Sequence, residues 1–99
     1  MKKVFYASMG FKGKKKLERK EGDYDEKTGV YYTKEKNGWT GTDAYTGSSI
    51  VVGKATKEEC KTAIKNAMPK LKEIRNSETY LHNVINYNEM VDDETAMPF

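Results

Sequence analysis

This 99-residue chain holds one cysteine, one histidine, one tryptophan and two prolines, and each shortage removes a class of protein. A lone Cys60 cannot close an intramolecular disulfide, so the fold has to be held by packing. Cys60 and His82 are the only soft metal ligands. Even with Asp92, Asp93 and Glu94 close to His82 in sequence, they lack the paired short spacings of a structural zinc site. Neither metal nor cofactor is expected, and no side chains are nominated as catalytic. No apolar run approaches the roughly 20 residues that span a bilayer. Lys2-Lys3 is not followed by the apolar core of a signal peptide, so the expectation is a cytoplasmic protein with no membrane partner.

Two stretches imitate chemical motifs and fail in detail. The run from Asp23 to Gly29 begins like a calcium loop. However, Lys27 stands where an oxygen ligand belongs, the glycine comes one place late, and Lys34 occupies the position of the bidentate glutamate. Gly10-Phe11-Lys12-Gly13-Lys14 is glycine-rich and basic, but it is expected to lack the preceding strand, the spacing and the following helix of a phosphate-binding loop. Asp92-Asp93 sits in an acidic run that reads as a solvated tail at about 89–99.

The chain does contain a meander feeding a capped helix. Val30-Tyr31-Tyr32-Thr33-Lys34 is β-branched and aromatic, and Asn37-Gly38 is a strong hairpin signal because both residues tolerate positive φ. A returning strand runs from Trp39 to Ala44, a turn follows at Tyr45-Thr46-Gly47-Ser48, and Ser49-Ile50-Val51-Val52 is a short apolar strand. Thr56-Lys57-Glu58-Glu59 matches the capping box that opens a helix. Cys60, Ala63, Ile64, Ala67, Leu71 and Ile74 then recur at helical spacing on one stripe, which should lie on the sheet. That placement makes Cys60 a small buried hydrophobe. Pro69 predicts a kink or break within the stripe. Ser77 can cap a second helix through Tyr80, Leu81, Val84 and Ile85, with an extended segment as the alternative. Lys2 to Met9 adds a candidate strand, and the charged, glycine-containing segment at about 10–27 reads as a basic loop.

The expected fold is α+β: one domain over residues 1–99, with an antiparallel sheet of three or four strands and one or two helices packed on one face. At this size the core is modest, and a homodimer is one way to extend it.

Charge is unevenly placed. The formal net charge is +3, yet residues 1–20 carry +7 and the remainder −4. The segment from Lys12 to Lys20 can neutralise several phosphates, and Tyr6, Phe11 and Tyr24 can stack on bases, which is the composition of a nucleic-acid footprint. The competing reading is a solubilising loop whose charges face water. Trp39 and Tyr45 offer an aromatic patch of the kind that anchors protein interfaces, or they are simply half core.

The run Gly38-Trp39-x-x-Thr42-Asp43-x-x-Thr46-Gly47, followed by Ile50-x-x-Gly53-Lys54-x-Thr56-Lys57-x-Glu59, resembles small sheet-then-helix proteins encoded by bacterial phages and mobile elements. The resemblance spans about half the chain and rests mainly on turn and cap residues. Some proteins of that kind are anti-CRISPR inhibitors, a class without a shared motif, so it lends no site residue. Many of them are acidic DNA mimics, and this chain's positive charge departs from that pattern. The resemblance implies a non-enzymatic inhibitor that binds a host effector protein or its RNA complex, with a type II CRISPR nuclease as the specific expectation. In that role Lys14, Lys15, Lys16, Arg19 and Lys20 would meet acidic protein surface or bound RNA, and Trp39 with Tyr45 would form the anchor. The alternative is a nucleic-acid-binding accessory protein using the basic segment 12–20.

Overall fold

The computed structural model describes residues 2–11 and 14–95, with the side chains of 9–11, 14–15 and 94–95 left aside. Five strands run in chain order: β1 (Lys2–Phe11), β2 (Lys14–Asp25), β3 (Val30–Glu35), β4 (Gly38–Asp43) and β5 (Ser49–Lys54). Two helices follow, α1 (Lys57–Arg75) and α2 (Glu78–Thr95). The strands form one antiparallel sheet in the order β1-β2-β3-β4-β5. The fold is therefore α+β as expected, with five strands rather than three or four.

The extra strand is β2, which occupies most of the segment expected as a basic loop. Its register against β1 is continuous from Lys2↔Asp23 to Phe11↔Lys14. The acidic stretch expected as a tail from about residue 89 is helical as far as Thr95, and residues 96–99 lie outside the described part.

Residues directly opposite in an antiparallel pair share a face, so the register sorts the sheet. One face carries Val30, Tyr32, Trp39 and Gly41. There α1 contributes Cys60 and Ile64, which with Val30 and Tyr32 form a core that Trp39, Ile50, Val51 and Met68 flank. Gly41 is needed at this point: a Cβ on it would lie 2.9 Å from Ile64 Cδ1, well inside van der Waals contact. The helix starts where expected, with Thr56 Oγ1 accepting from the Glu59 amide at 3.1 Å. It runs without a break through Pro69. Pro69 and Lys65, four residues earlier, are both exposed, so the carbonyl that the proline leaves without a donor can turn to water.

The other face carries Phe5, Ala7, Tyr31, Thr33, Thr40 and Thr42, and curling of the sheet buries most of it. In a flat sheet β1 and β4 would lie three strand spacings apart, about 14 Å. Here the Ser8 amide on the outer edge of β1 donates to the carbonyl of Gly47, in the turn after β4, at 2.8 Å. Gly22 allows the crease. A Cβ there would meet Thr33 Cγ2 at 2.7 Å and Phe5 Cε1 at 3.1 Å, and over it Phe5 stacks on Tyr31 with centroids 4.2 Å apart.

Helix α2 begins at Ser77, whose Oγ accepts from the Tyr80 amide at 3.2 Å, which settles the helical reading of this segment. It closes the open side of the curl. The Tyr87 hydroxyl donates to the Tyr6 carbonyl at 2.6 Å. The Tyr80 hydroxyl donates to Asp43 Oδ2 at 2.7 Å. Asp43 is buried and also accepts from Thr46 Oγ1 at 2.7 Å and from Arg75 Nη2 at 2.8 Å. Arg75 Nη1 donates in turn to the Thr28 carbonyl at 2.8 Å, so this junction ties the β2–β3 turn, the end of β4, the end of α1 and the start of α2. Burial alone would lower the Arg75 guanidinium pKa, but the hydrogen bond and charge of Asp43 outweigh it and hold the arginine above its ordinary value. The Tyr80 phenol is raised by burial and by donating to Asp43.

Candidate nucleic-acid interface

The ribbon of β1 and β2 is the most distinctive charged feature of the fold. β2 pairs with β3 only over Asp23–Asp25, while its pairing with β1 continues to Lys14. Among the described residues, the last backbone hydrogen bond between the ribbon and the turn after β4 is at Ser8. Residues 9–11 and 14–16 therefore carry the two paired strands past the point where the turn meets β1.

The basic residues distribute along this ribbon. Lys14 and Lys15 occupy the register positions opposite Phe11 and Gly10, and Lys12 lies outside the described residues. Lys16 and Arg19 are exposed, on opposite faces by strand alternation. Lys20 is committed elsewhere, because its ammonium pairs with Glu35, which also accepts from Thr33 Oγ1. Among the side chains that can be described, Lys16 and Arg19 are the two nominated cations turned to solvent.

The two nominated aromatics are not brought together. Trp39, near the start of β4, is half-buried against the core, with Lys57 Nζ 5.9 Å from its ring centroid. Tyr45 lies beyond the other end of β4, 46% exposed. The Arg75 guanidinium stands 5.1 Å from its ring centroid, and a Cβ on Gly29 would approach that ring to 2.7 Å. Each serves its own local packing, and no shared anchor forms.

Cys60 and His82 are also apart in environment, Cys60 fully buried beneath α1 and His82 exposed on α2. Burial pushes the Cys60 thiol pKa up, against a smaller lowering by Lys54. Among the described residues no group of three or more His, Cys, Asp or Glu side chains could hold a metal ion, and no helix is long and apolar enough to cross a membrane.

Two depressions flank the ribbon. A cleft of about 410 Å³ opens between the end of β2 and the start of α1, with Lys27, Lys57 and Lys61 facing Asp23 and Asp25. It is largely self-neutralised: Lys57 pairs with Asp23, and that hydrogen bond, opposed by partial desolvation, leaves the Asp23 carboxyl below its usual value. A smaller cavity of about 210 Å³ lies at the ribbon's outer edge, walled by β1, the turn after β4 and α2, with Asn83 and Asn86 among its lining residues. Charge and aromatic content gave no pointer to it. The available signal was compositional, since Asn83, Asn86 and Asn88 crowd one helix although asparagine is a poor helix former.

Comparison with protein-family models, with characterised proteins and with solved structures returned no match. The likeness to small proteins of phages and mobile elements therefore rests on the sequence pattern alone.

Proposed function

We propose that this protein is a non-enzymatic nucleic-acid-binding module whose β1–β2 ribbon engages the phosphate backbone. The observation that carries this reading is the ribbon's geometry. Lys14, Lys15, Lys16, Arg19 and Lys20 lie on a two-stranded ribbon that extends past its junction with the turn after β4. A ribbon of two paired strands can lie along a phosphate backbone with its basic groups against it. The remainder of the chain is net negative, so an approaching polyanion is drawn to the ribbon and repelled elsewhere. The test is fluorescence anisotropy with mixed oligonucleotides at several salt concentrations. Replacing Lys14, Lys15 and Lys16 by Glu should weaken binding across sequences, and it should flatten the dependence of log affinity on log salt by about 0.9 for each duplex phosphate that is no longer neutralised. Affinity unchanged by the triple replacement would refute the reading.

A second reading, an inhibitor from a phage or mobile element that binds a type II CRISPR nuclease, draws support from a different observation. Ile74, Leu81 and Ile85 are 44%, 54% and 55% exposed, which gives the helices apolar surface suited to a protein partner. Titration of a purified type II nuclease at physiological salt separates the two. Binding there, with none to oligonucleotides, would replace the first reading by the second.

A further inference from the structure

The small cavity at the ribbon's outer edge is chemically unlike the rest of the molecule. One third of the chain is charged, yet among the described residues no charged side chain lines this space. Ser8 of β1 and Ser48 of the turn face Asn83, Asn86 and Met90 of α2 across it. Thr46 and Tyr87 complete the wall, and their hydroxyls are already spent on Asp43 and on the Tyr6 carbonyl. The Asn83 and Asn86 amides differ in this respect. Among the described residues nothing hydrogen-bonds to either side chain, so two donor and acceptor pairs on successive turns of one helix remain available.

That combination suits a flat, uncharged heterocycle. A side-chain amide offers one acceptor and two donors, the complement of a nucleobase edge, and a methionine thioether gives a polarisable surface for the ring. Position supports the same occupant. Ser8 pairs with Leu17, and the next register step is Met9 with Lys16. The cavity therefore opens beside the cationic part of the ribbon, with Arg19 on the same strand face as Ser8 and Lys16 one register step away on the other face.

Resting on the ribbon reading above, we infer that the cavity accepts an unpaired base of a strand whose phosphates lie along the ribbon, and hence that the preferred partner is single-stranded nucleic acid. A base inside a duplex is stacked and paired and cannot enter. A single strand can present a base at little cost while its backbone tracks the basic groups.

The experiment has two arms. In the first, anisotropy compares a single-stranded oligonucleotide with its duplex, for the wild type and for the Asn83→Ala/Asn86→Ala variant, whose fold is checked by its thermal melt. Both asparagines lie on the solvent side of the core, so the variant should melt like the wild type. The expected result is tighter binding of the single strand, weakened about tenfold in the variant, with duplex affinity and the salt slope unchanged. In the second arm, phosphate-free nucleosides are titrated into labelled protein, and the side-chain amide signals of Asn83 and Asn86 should shift where ribose alone leaves them in place. Amide signals that no nucleoside moves, together with equal single-strand and duplex affinities, would overturn the inference while the charge-reversal result upheld the ribbon. Signals that move although charge reversal is without effect would sustain the base site and refute the ribbon.

Discussion

Replacing Ile64 by alanine tests the contact on which the helix-to-sheet packing depends. Ile64 is fully buried, against Val30, Tyr32 and Cys60, and its Cδ1 lies over Gly41, a position in β4 with no side chain to follow it. The substitution removes three carbons, a transfer loss of about 2.4 kcal/mol at about 0.8 kcal/mol for each. The cavity left behind adds to this, because a strand glycine and a helix held at both ends cannot collapse inwards. The sum belongs in the upper part of the 2–5 kcal/mol range for such truncations, about 3–5 kcal/mol. At a denaturant dependence of about 1–3 kcal/mol/M for a small domain in urea, the midpoint should fall by about 1 M or more. A second substitution sharpens the test. Gly41→Ala alone should destabilise, since its methyl would sit 2.9 Å from Ile64 Cδ1. Placed on the Ile64→Ala background, the same methyl enters vacated space. The double variant should therefore be more stable than the sum of the single effects, by the 0.5–3 kcal/mol typical of coupled neighbours. Urea melts of the four proteins measure this directly. Additive losses, or an Ile64→Ala shift no larger than that of the exposed Lys65→Ala, would refute the proposed packing.

Three further outcomes follow from the junctions. Gly47 has φ +72° and a Cβ on it would crowd the Tyr6 carbonyl at 2.7 Å and the Ser8 amide at 2.8 Å, whereas a Cβ on Gly53, at φ +71°, would meet the Asn37 carbonyl at an ordinary contact distance of 3.7 Å. In thermal melts Gly47→Ala should then cost clearly more than Gly53→Ala, for which only the left-handed backbone penalty of about 1–2 kcal/mol applies. Tyr80→Phe should lower stability at neutral pH by about 1.5–3 kcal/mol, the worth of a hydrogen bond to a charged group. The Tyr80 phenol is raised by burial and by Asp43, so its contribution is present below the unfolded tyrosine value of about 10 and is lost as pH rises above it. The gap between wild type and variant should therefore narrow in urea melts above about pH 10, and a gap constant across that range would contradict the assignment. Cys60 should resist a thiol reagent at neutral pH until the protein is unfolded, and rapid labelling of the native protein would place it outside the core.

The hairpin at Asn37-Gly38, the cap at Thr56 and the buried stripe of Cys60, Ile64 and Leu71 were legible because each depends on near neighbours in the chain. β2 was not. With Lys14-Lys15-Lys16 and Arg19-Lys20 it has no apolar alternation of its own, and its strand character comes from pairing with β1, where Phe5 and Ala7 are the residues that become buried. Ile74 continues the helical period but is 44% exposed, since periodicity sets direction around the helix and not where the sheet beneath it ends. The Asp43 junction joins residues 32 and 37 positions apart, and nothing local marks Arg75 or Tyr80 as its partners. For the candidate site, the basic residues could be read directly, but their arrangement on a ribbon could not. Separation of Trp39 from Tyr45 follows from the length of β4 and from the local partners each ring finds. The neutral cavity brings Ser8 together with Asn83 and Asn86, a proximity created only when α2 closes on β1.

The hydrogen bond from Tyr87 to the Tyr6 carbonyl spans 81 positions, and it has a consequence for biogenesis. As the chain leaves the ribosome, the β1–β2 hairpin can form early from neighbouring residues, but the outer edge of β1 has no helical cover until residue 87 has emerged. During that interval Val4, Tyr6 and Ser8 present an open strand edge, the kind of surface on which nascent chains associate. The lysines of the ribbon all precede residue 21, so mutual charge repulsion between growing chains is in place well before the helix that makes it unnecessary.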